Sequence, residues 1–323
     1  MEDKYALITT LVAAIVLAFV FGFIASRLRL SPIVGYLLAG LAVGPYTPGF
    51  TANTELALQL SEIGVILLMF GVGLKISIDD IWSVRWVAAP GSLIHTLASG
   101  AFGYVAGLLL GMAPVESFVL GASLSIASTI VFLRAMEDKR AIKTEEGRIG
   151  ISWLLIDDVL IVLAIVVLPA IVSVIAAEEA NVSIAPLLSA LGVTFLKIAG
   201  FVALMLVVGG RLFPWLIVQV AHAKSRELLS LGTLSLALGV AWAAYFWFDA
   251  SFALGAFLGG LAPNGSRFSH RVAEDSLPLR DTFAVLFFVA VGMLFDPFVI
   301  VRQPLAVAAI VAVVIVGKAL LAY

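Results

Sequence analysis

Apolar runs of about 20 residues recur along the whole chain, the length a helix needs to cross a ~30 Å hydrocarbon core. Eleven such segments lie near residues 6–26, 32–44, 55–74, 86–110, 115–136, 149–176, 186–210, 228–247, 250–263, 280–295 and 304–323. Each predicts a helix. The second is short, opened by Pro32 and closed by Gly44-Pro45, and the ninth is similarly brief. Strands of a transmembrane barrel would alternate apolar and polar residues in segments of about 10, and nothing here alternates that way. No low-complexity stretch or long polar insertion interrupts the series. The pattern predicts an all-α, polytopic transmembrane helical bundle, with residues 1–323 forming one integral domain.

Composition strengthens that reading. Hydrophobic residues make up 62% of the 323 and charged residues only 12%, where a soluble domain carries roughly 25% charged. Mean hydropathy is +1.15. The absence of cysteine excludes disulfides, thiolate metal sites and a thiol nucleophile. Met1-Glu2-Asp3-Lys4 is not the basic start of a signal peptide, and the apolar run after it is too long for one, so it reads as the first span.

Charge changes the picture more. The inter-segment loops alternate between basic and nearly charge-free. Fifteen of the 19 Lys and Arg fall in one set: Arg27 and Arg29; Lys75 and Arg85; Arg134, Lys139, Arg140, Lys143 and Arg148; Arg211, Lys224 and Arg226; Arg267, Arg271 and Arg280. The intervening loops hold only Lys4 and Arg302. By the positive-inside rule the N-terminus is outside and the first loop cytoplasmic. A wrong segment count would have scrambled the alternation.

Five ionisable residues fall inside apolar spans: Glu62, Asp157, Asp158, Lys197 and Lys318. Each costs at least ~2.5 kcal/mol at a helix centre on insertion scales, so each is a candidate functional residue. Asp157 and Asp158 are adjacent and point about 100° apart on a helix. Two anions in low dielectric cannot both stay ionised cheaply. A carboxylate there can exchange a proton for a metal cation, the minimal chemistry of antiport. Counted from the cytoplasmic end of its span, Asp158 lies about 13 Å deep; Lys318, entering from outside, lies about 21 Å in. In a ~30 Å core these depths are comparable, so pairing of Lys318 with the acidic pair is expected. Snorkelling of Lys318 to the interface is the alternative.

The fifth span carries Gly121-Ala-Ser123-Leu-Ser125-Ile-Ala-Ser128-Thr129 at a similar level. Such hydroxyls can bond to i−4 carbonyls of an ordinary helix, or can mark a broken helix whose freed carbonyls face an ion. The tenth span offers a matching flexible stretch, Phe287-Phe288-Val-Ala-Val-Gly292-Met, before Asp296-Pro297. Ser128 precedes Asp158 by 30 residues, as Phe288 precedes Lys318. With opposite span directions, that arrangement predicts inverted repeats with two crossed broken helices. Glu62 and Lys197 lie near the centre or outer half of their spans, and a mutual salt bridge is expected, with a role in the ion path second. His95 reads as a packed neutral histidine.

No Gly-x4-Gly-Lys-Ser/Thr loop and no Gly-x-Gly-x-x-Gly fingerprint occurs, so an ion gradient rather than ATP is expected to supply energy. No nucleophile elbow points to an enzyme. A gated cation channel without proton coupling is the other class that the intramembrane charges permit.

The chain resembles the cation:proton antiporter-2 family, specifically its Kef-type branch of bacterial potassium/proton antiporters. The likeness runs through essentially all 323 residues, and is carried by Ser31-Pro32-Ile-Val-Gly35-Tyr36, Glu62 to Gly73, Ser123 to Thr129, Ser251 to Phe257 and Leu286 to Met293. Ser269-His270-Arg271 to Asp281 resembles the regulatory cytoplasmic loop of that branch. The resemblance implies an elevator-type exchanger of K+, or of Na+, for H+ in a bacterial cytoplasmic (inner) membrane, usually as a homodimer, with no cofactor and no nucleic-acid partner. It implies Asp158 as the ion- and proton-binding carboxylate, Asp157 as its companion paired with Lys318, and Ser128 and Thr129 lining the site. Many Kef-type proteins have Gln where this chain has Asp157, while paired Asp is typical of electrogenic sodium/proton relatives, so ion and stoichiometry stay open. The family continues past Tyr323 with another helix and often a nucleotide-binding regulatory domain, so a truncated chain is expected.

Overall fold

The computed structural model describes residues 5–175, 184–222, 225–262 and 269–321. Of the basic residues counted above, Lys4, Lys224 and Arg267 lie outside them. In chain order the helices begin with α1 (Ala6–Arg27), α2 (Pro32–Val43), α3 (Thr54–Gly73), α4 (Ile78–Ser83) and α5 (Arg85–Leu109). They continue with α6 (Pro114–Ser125), α7 (Thr129–Asp138), α8 (Glu145–Ile175), α9 (Ile184–Leu204), α10 (Gly210–His222) and α11 (Arg226–Phe248). The last are α12 (Phe252–Leu261), α13 (Ser269–Leu294), α14 (Phe298–Arg302), α15 (Pro304–Ala312) and α16 (Lys318–Leu321). π-Helical turns at Met205–Gly209 and Val313–Gly317 join α9 to α10 and α15 to α16.

Seven helices among the described residues are long and apolar enough to cross a membrane, and Pro32–Val43, Phe252–Leu261 and Pro304–Gly317 are shorter apolar helices. With α8, all eleven expected segments are helical, and no strand occurs among the described residues. The chain divides into two compact units.

The first unit comprises Met1–Lys75, Val208–Trp242 and Gly255–Phe298. Its α1 is built the opposite way from a soluble helix. Ala14, Ala18, Gly22 and Ala25 form the buried stripe, while Phe19 stays 72% exposed. Lipid is as apolar as phenylalanine, so burying large side chains gains nothing and close backbone approach decides which residues face inward. The same rule seats α13 against α2 and α3. A Cβ at Gly40 would collide with the Val289 carbonyl, and one at Gly292 with the Leu37 carbonyl.

That packing overturns one expectation. The stretch Phe287–Met293 is no interruption, for α13 runs unbroken to Leu294 and buries Phe288, Val289, Ala290 and Met293. Its small residues serve helix–helix approach, and the break expected at that stretch does not occur within α13. Arg280, counted above among loop residues, is buried within α13, with Nη2 3.0 Å from Asp281 Oδ1.

The second unit comprises Ile76–Val207, Ala243–Leu254 and Val299–Tyr323. In it α5 packs against α6 and α8. Gly103 faces Gly121 so closely that a Cβ would stand 2.7 Å from the Gly121 Cα. At Gly150 a Cβ would strike the Phe132 ring, which sets α7 tightly on α8.

Candidate functional site

The fifth apolar span is two helices, not one. α6 stops at Ser125, the backbone is extended at Ile126 (φ −71°, ψ 135°) and Ser128 (φ −79°, ψ 105°), and α7 starts at Thr129. The broken helix expected from the serine cluster is therefore present here. Ser128 ends the break as an N-cap, its Oγ accepting from the Val131 N–H at 3.4 Å. A helix that stops leaves its last carbonyls without intrahelical partners, and inside a membrane something must supply donors.

Lys318 supplies them. Its Nζ donates to the carbonyls of Leu124 at 3.0 Å, Ile126 at 3.2 Å and Ser125 at 3.4 Å. The π-helical turn at Val313–Gly317 immediately precedes it. This corrects the expected ion pair: Lys318 is seated on the backbone of the break, not on a carboxylate of Asp157. Three fixed carbonyl oxygens match the three donors of an ammonium.

Asp157 turns to a different wall. It is 3% exposed, and its Oδ1 accepts from Ser92 Oγ at 2.7 Å and Thr96 Oγ1 at 2.8 Å, both on α5. Asp158, one residue on, faces the break. Its Oδ1 takes a long 3.4 Å bond from Thr129 Oγ1, and its buried Oδ2 has no hydrogen-bond partner among the described residues. A buried carboxylate oxygen without a donor is the atom in this site that suits a cation or a proton. Thr129 thus reaches Asp158, while Ser128 spends its hydroxyl on capping.

α8 is positioned by its start. Thr144 Oγ1 accepts from the Gly147 N–H at 3.2 Å, capping the helix, and Arg148 reaches Asp80 Oδ1 at 3.2 Å. Asp80 closes a capping box on α4 with Ser77. The hydrogen bond from the Ser77 side chain, joined by the Ser77 backbone and the Arg148 guanidinium, holds the Asp80 carboxyl below its ordinary range.

Lys197, expected to pair with Glu62, has an acidic partner within its own unit. Its Nζ lies 2.6 Å from Asp249 Oδ2. Asp249 has a left-handed backbone (φ 53°), and the Ala250 N–H bonds back to the Ala244 carbonyl at 3.0 Å. A left-handed residue just past a helix end is usually glycine, and aspartate tolerates that conformation. The turn aims the Asp249 carboxylate at α9. Glu62 belongs to the first unit and lies at an exposed position of α3. His95 is buried, edge-on to Trp153 with ring centroids 5.2 Å apart.

Ser92 and Thr96 were missed in the sequence. The available signal was a row of polar residues at helical spacing, Ser92, Thr96 and Ser99, within the otherwise apolar fourth span.

A helix broken beside a buried carboxylate, in an all-helical chain with membrane-length apolar helices, is an arrangement suited to ion transport. The family model described as sodium/hydrogen exchanger, transmembrane, matches residues 15–323. The chain belongs to that family, a family of transporters rather than enzymes, and is an integral membrane protein. It is 49% identical over 323 residues to YbaL of Escherichia coli (strain K12), whose name provisionally assigns it cation/proton antiport; all of this chain and 58% of YbaL are covered. It is 31% identical over 284 residues to the glutathione-regulated potassium-efflux system protein KefC of Klebsiella pneumoniae, covering 88% of this chain and 44% of KefC. The chain thus spans only part of the length of these relatives. Its fold matches the sodium proton antiporter MjNhaP1 of Methanocaldococcus jannaschii with a TM-score of 0.69 at 17% identity, over 99% of this chain and 78% of that one.

Proposed function

We propose that the chain exchanges a monovalent cation, K+ in preference to Na+, for H+ across a bacterial cytoplasmic membrane, with Asp158 as the carboxylate that carries either ion. The observation that carries this is the buried Asp158 Oδ2, which has no hydrogen-bond partner among the described residues, on a carboxylate whose Oδ1 reaches Thr129 at the end of the break between α6 and α7. A proton neutralises Asp158 and a cation does likewise, so either loaded form crosses at reduced desolvation cost. Thr129 helps to hold the bound cation. Asp157 is the companion charge, and Lys318 maintains the broken backbone in place.

An elevator-type movement fits the division into two units, because every site residue lies in the second. The basic-loop alternation supports an external N-terminus. K+ is favoured because the relative KefC bears potassium efflux in its name. A homodimer, and a regulatory domain beyond this chain, belong to the same reading through the family resemblance. The Lys197–Asp249 pair links α9 to the end of α11.

Proton flux from proteoliposomes on addition of K+ or Na+ tests this, using the full-length protein. Proton movement with one ion, lost in Asp158→Asn, is the expected result. Cation flux without proton movement would establish a channel instead.

A further inference from the structure

Asp157 and Asp158 are equivalent in chemistry and unequal in provision. Ser92 and Thr96, four residues apart and so on one face of α5, both direct their hydroxyls at the same oxygen of Asp157. Ser92 is fully buried. Asp158 has one long contact and one oxygen without a hydrogen-bond partner among the described residues.

We propose that Ser92 and Thr96 are positioning residues, whose paired hydroxyls hold the Asp157 carboxylate on the α5 side so that Asp158 alone meets the cation. This rests on the antiport reading of Asp158. The side chains of the two acids diverge by about 100°, and a change of rotamer brings the first toward the second. The clamp prevents that change. The charged and titratable groups acting around it are His95 on α5, Asp158 on α8 and Lys318 on α16. Released from α5, Asp157 joins Asp158 on the cation. Two carboxylates on one monovalent ion bind it more tightly and let it go more slowly, so KM and turnover fall together. Packing damage alone has the opposite effect on KM.

The test uses the full-length protein in proteoliposomes, with K+ or Na+, whichever drives proton release, as the probe. Ser92→Ala/Thr96→Val is expected to lower the apparent cation KM about tenfold, the worth of one hydrogen bond to a charged group, with a slower maximal rate. Thr96→Val alone, which leaves the Ser92 bond, shifts KM the same way by less. Thr96→Ser keeps a hydroxyl and restores the wild-type KM. A KM that is unchanged or raised in both clamp variants overturns the proposal. Asp158→Asn is measured alongside. If it still exchanges ions, the antiport reading fails; if it is inactive while the clamp variants keep the wild-type KM, only the positioning role fails.

Discussion

The ammonium of Lys318 stands 3.0 Å from the carbonyl oxygen of Leu124, 194 residues earlier in the chain. A side chain near the last described residues thus closes a gap opened in the middle of the sequence. Lys318→Ala leaves the carbonyls of Leu124, Ser125 and Ile126 without those donors, and the loss of charged hydrogen bonds costs about 2 kcal/mol. The expected result is a lower Tm in detergent, with Lys318→Arg intermediate. A wild-type Tm in Lys318→Ala would show that the break holds itself.

Asp158→Asn keeps the shape of the side chain and removes its charge. Exchange is expected to vanish, while Tm stays at or slightly above the wild-type value because a poorly partnered buried charge has gone. Thr129→Val removes the one hydroxyl that reaches Asp158. It is expected to raise the apparent cation KM about tenfold with little change in the maximal rate, measured by the same proton-flux assay.

Acid stability should report on Asp80. Its folded carboxyl titrates below the ordinary value of 3.8, first through the Ser77 side chain. A lowered folded value means stabilisation that is present above the unfolded value and lost as pH falls through the folded one. Asp80→Asn is therefore expected to lower Tm at neutral pH by a modest amount, under about 1 kcal/mol at this part-exposed site. The difference should close below about pH 4. Equal gaps at pH 7 and pH 3 would count against it.

Glycine substitutions separate contact from open space. Gly40→Ala drives a Cβ into the Val289 carbonyl and should cost about 1–3 kcal/mol. Gly200→Ala and Gly239→Ala meet nothing within 4 Å and sit within helices, where alanine is favoured by roughly 1 kcal/mol. Thermal melts should fall for the first and hold or rise for the others.

A double-mutant cycle checks the revised partner of Lys197. Lys197→Met and Asp249→Asn should be non-additive in stability, whereas Lys197→Met and Glu62→Gln should add.

Much of this was legible beforehand, and the misses have physical causes. Apolar length fixed all eleven helical segments, because bilayer thickness leaves little freedom in span length. The break at Ile126–Ser128 was readable because hydroxyls and small residues cluster there. The equivalent reading at Phe287–Met293 failed because small residues serve two ends: they let a backbone leave the helix, or let a neighbouring backbone come close. Composition alone does not separate these. Depth along a span is computable from sequence, but the direction in which a side chain points across the bundle is not. Lys197 was therefore matched to Glu62 rather than to Asp249, and Lys318 to Asp157 rather than to three backbone oxygens.

The break has one more consequence. α6 ends and α7 begins with three residues between them, so two macrodipoles meet there end to end, the negative pole of one beside the positive pole of the other. Lys318 occupies the negative pole and Asp158 lies beside Thr129 at the positive one. The seat is bipolar, and the protein holds its own cation and anion on it side by side. Under the antiport proposed above, exchanging one monovalent cation for another on Asp158 leaves that field as it was, so the scaffold meets both cargoes with the same electrostatics.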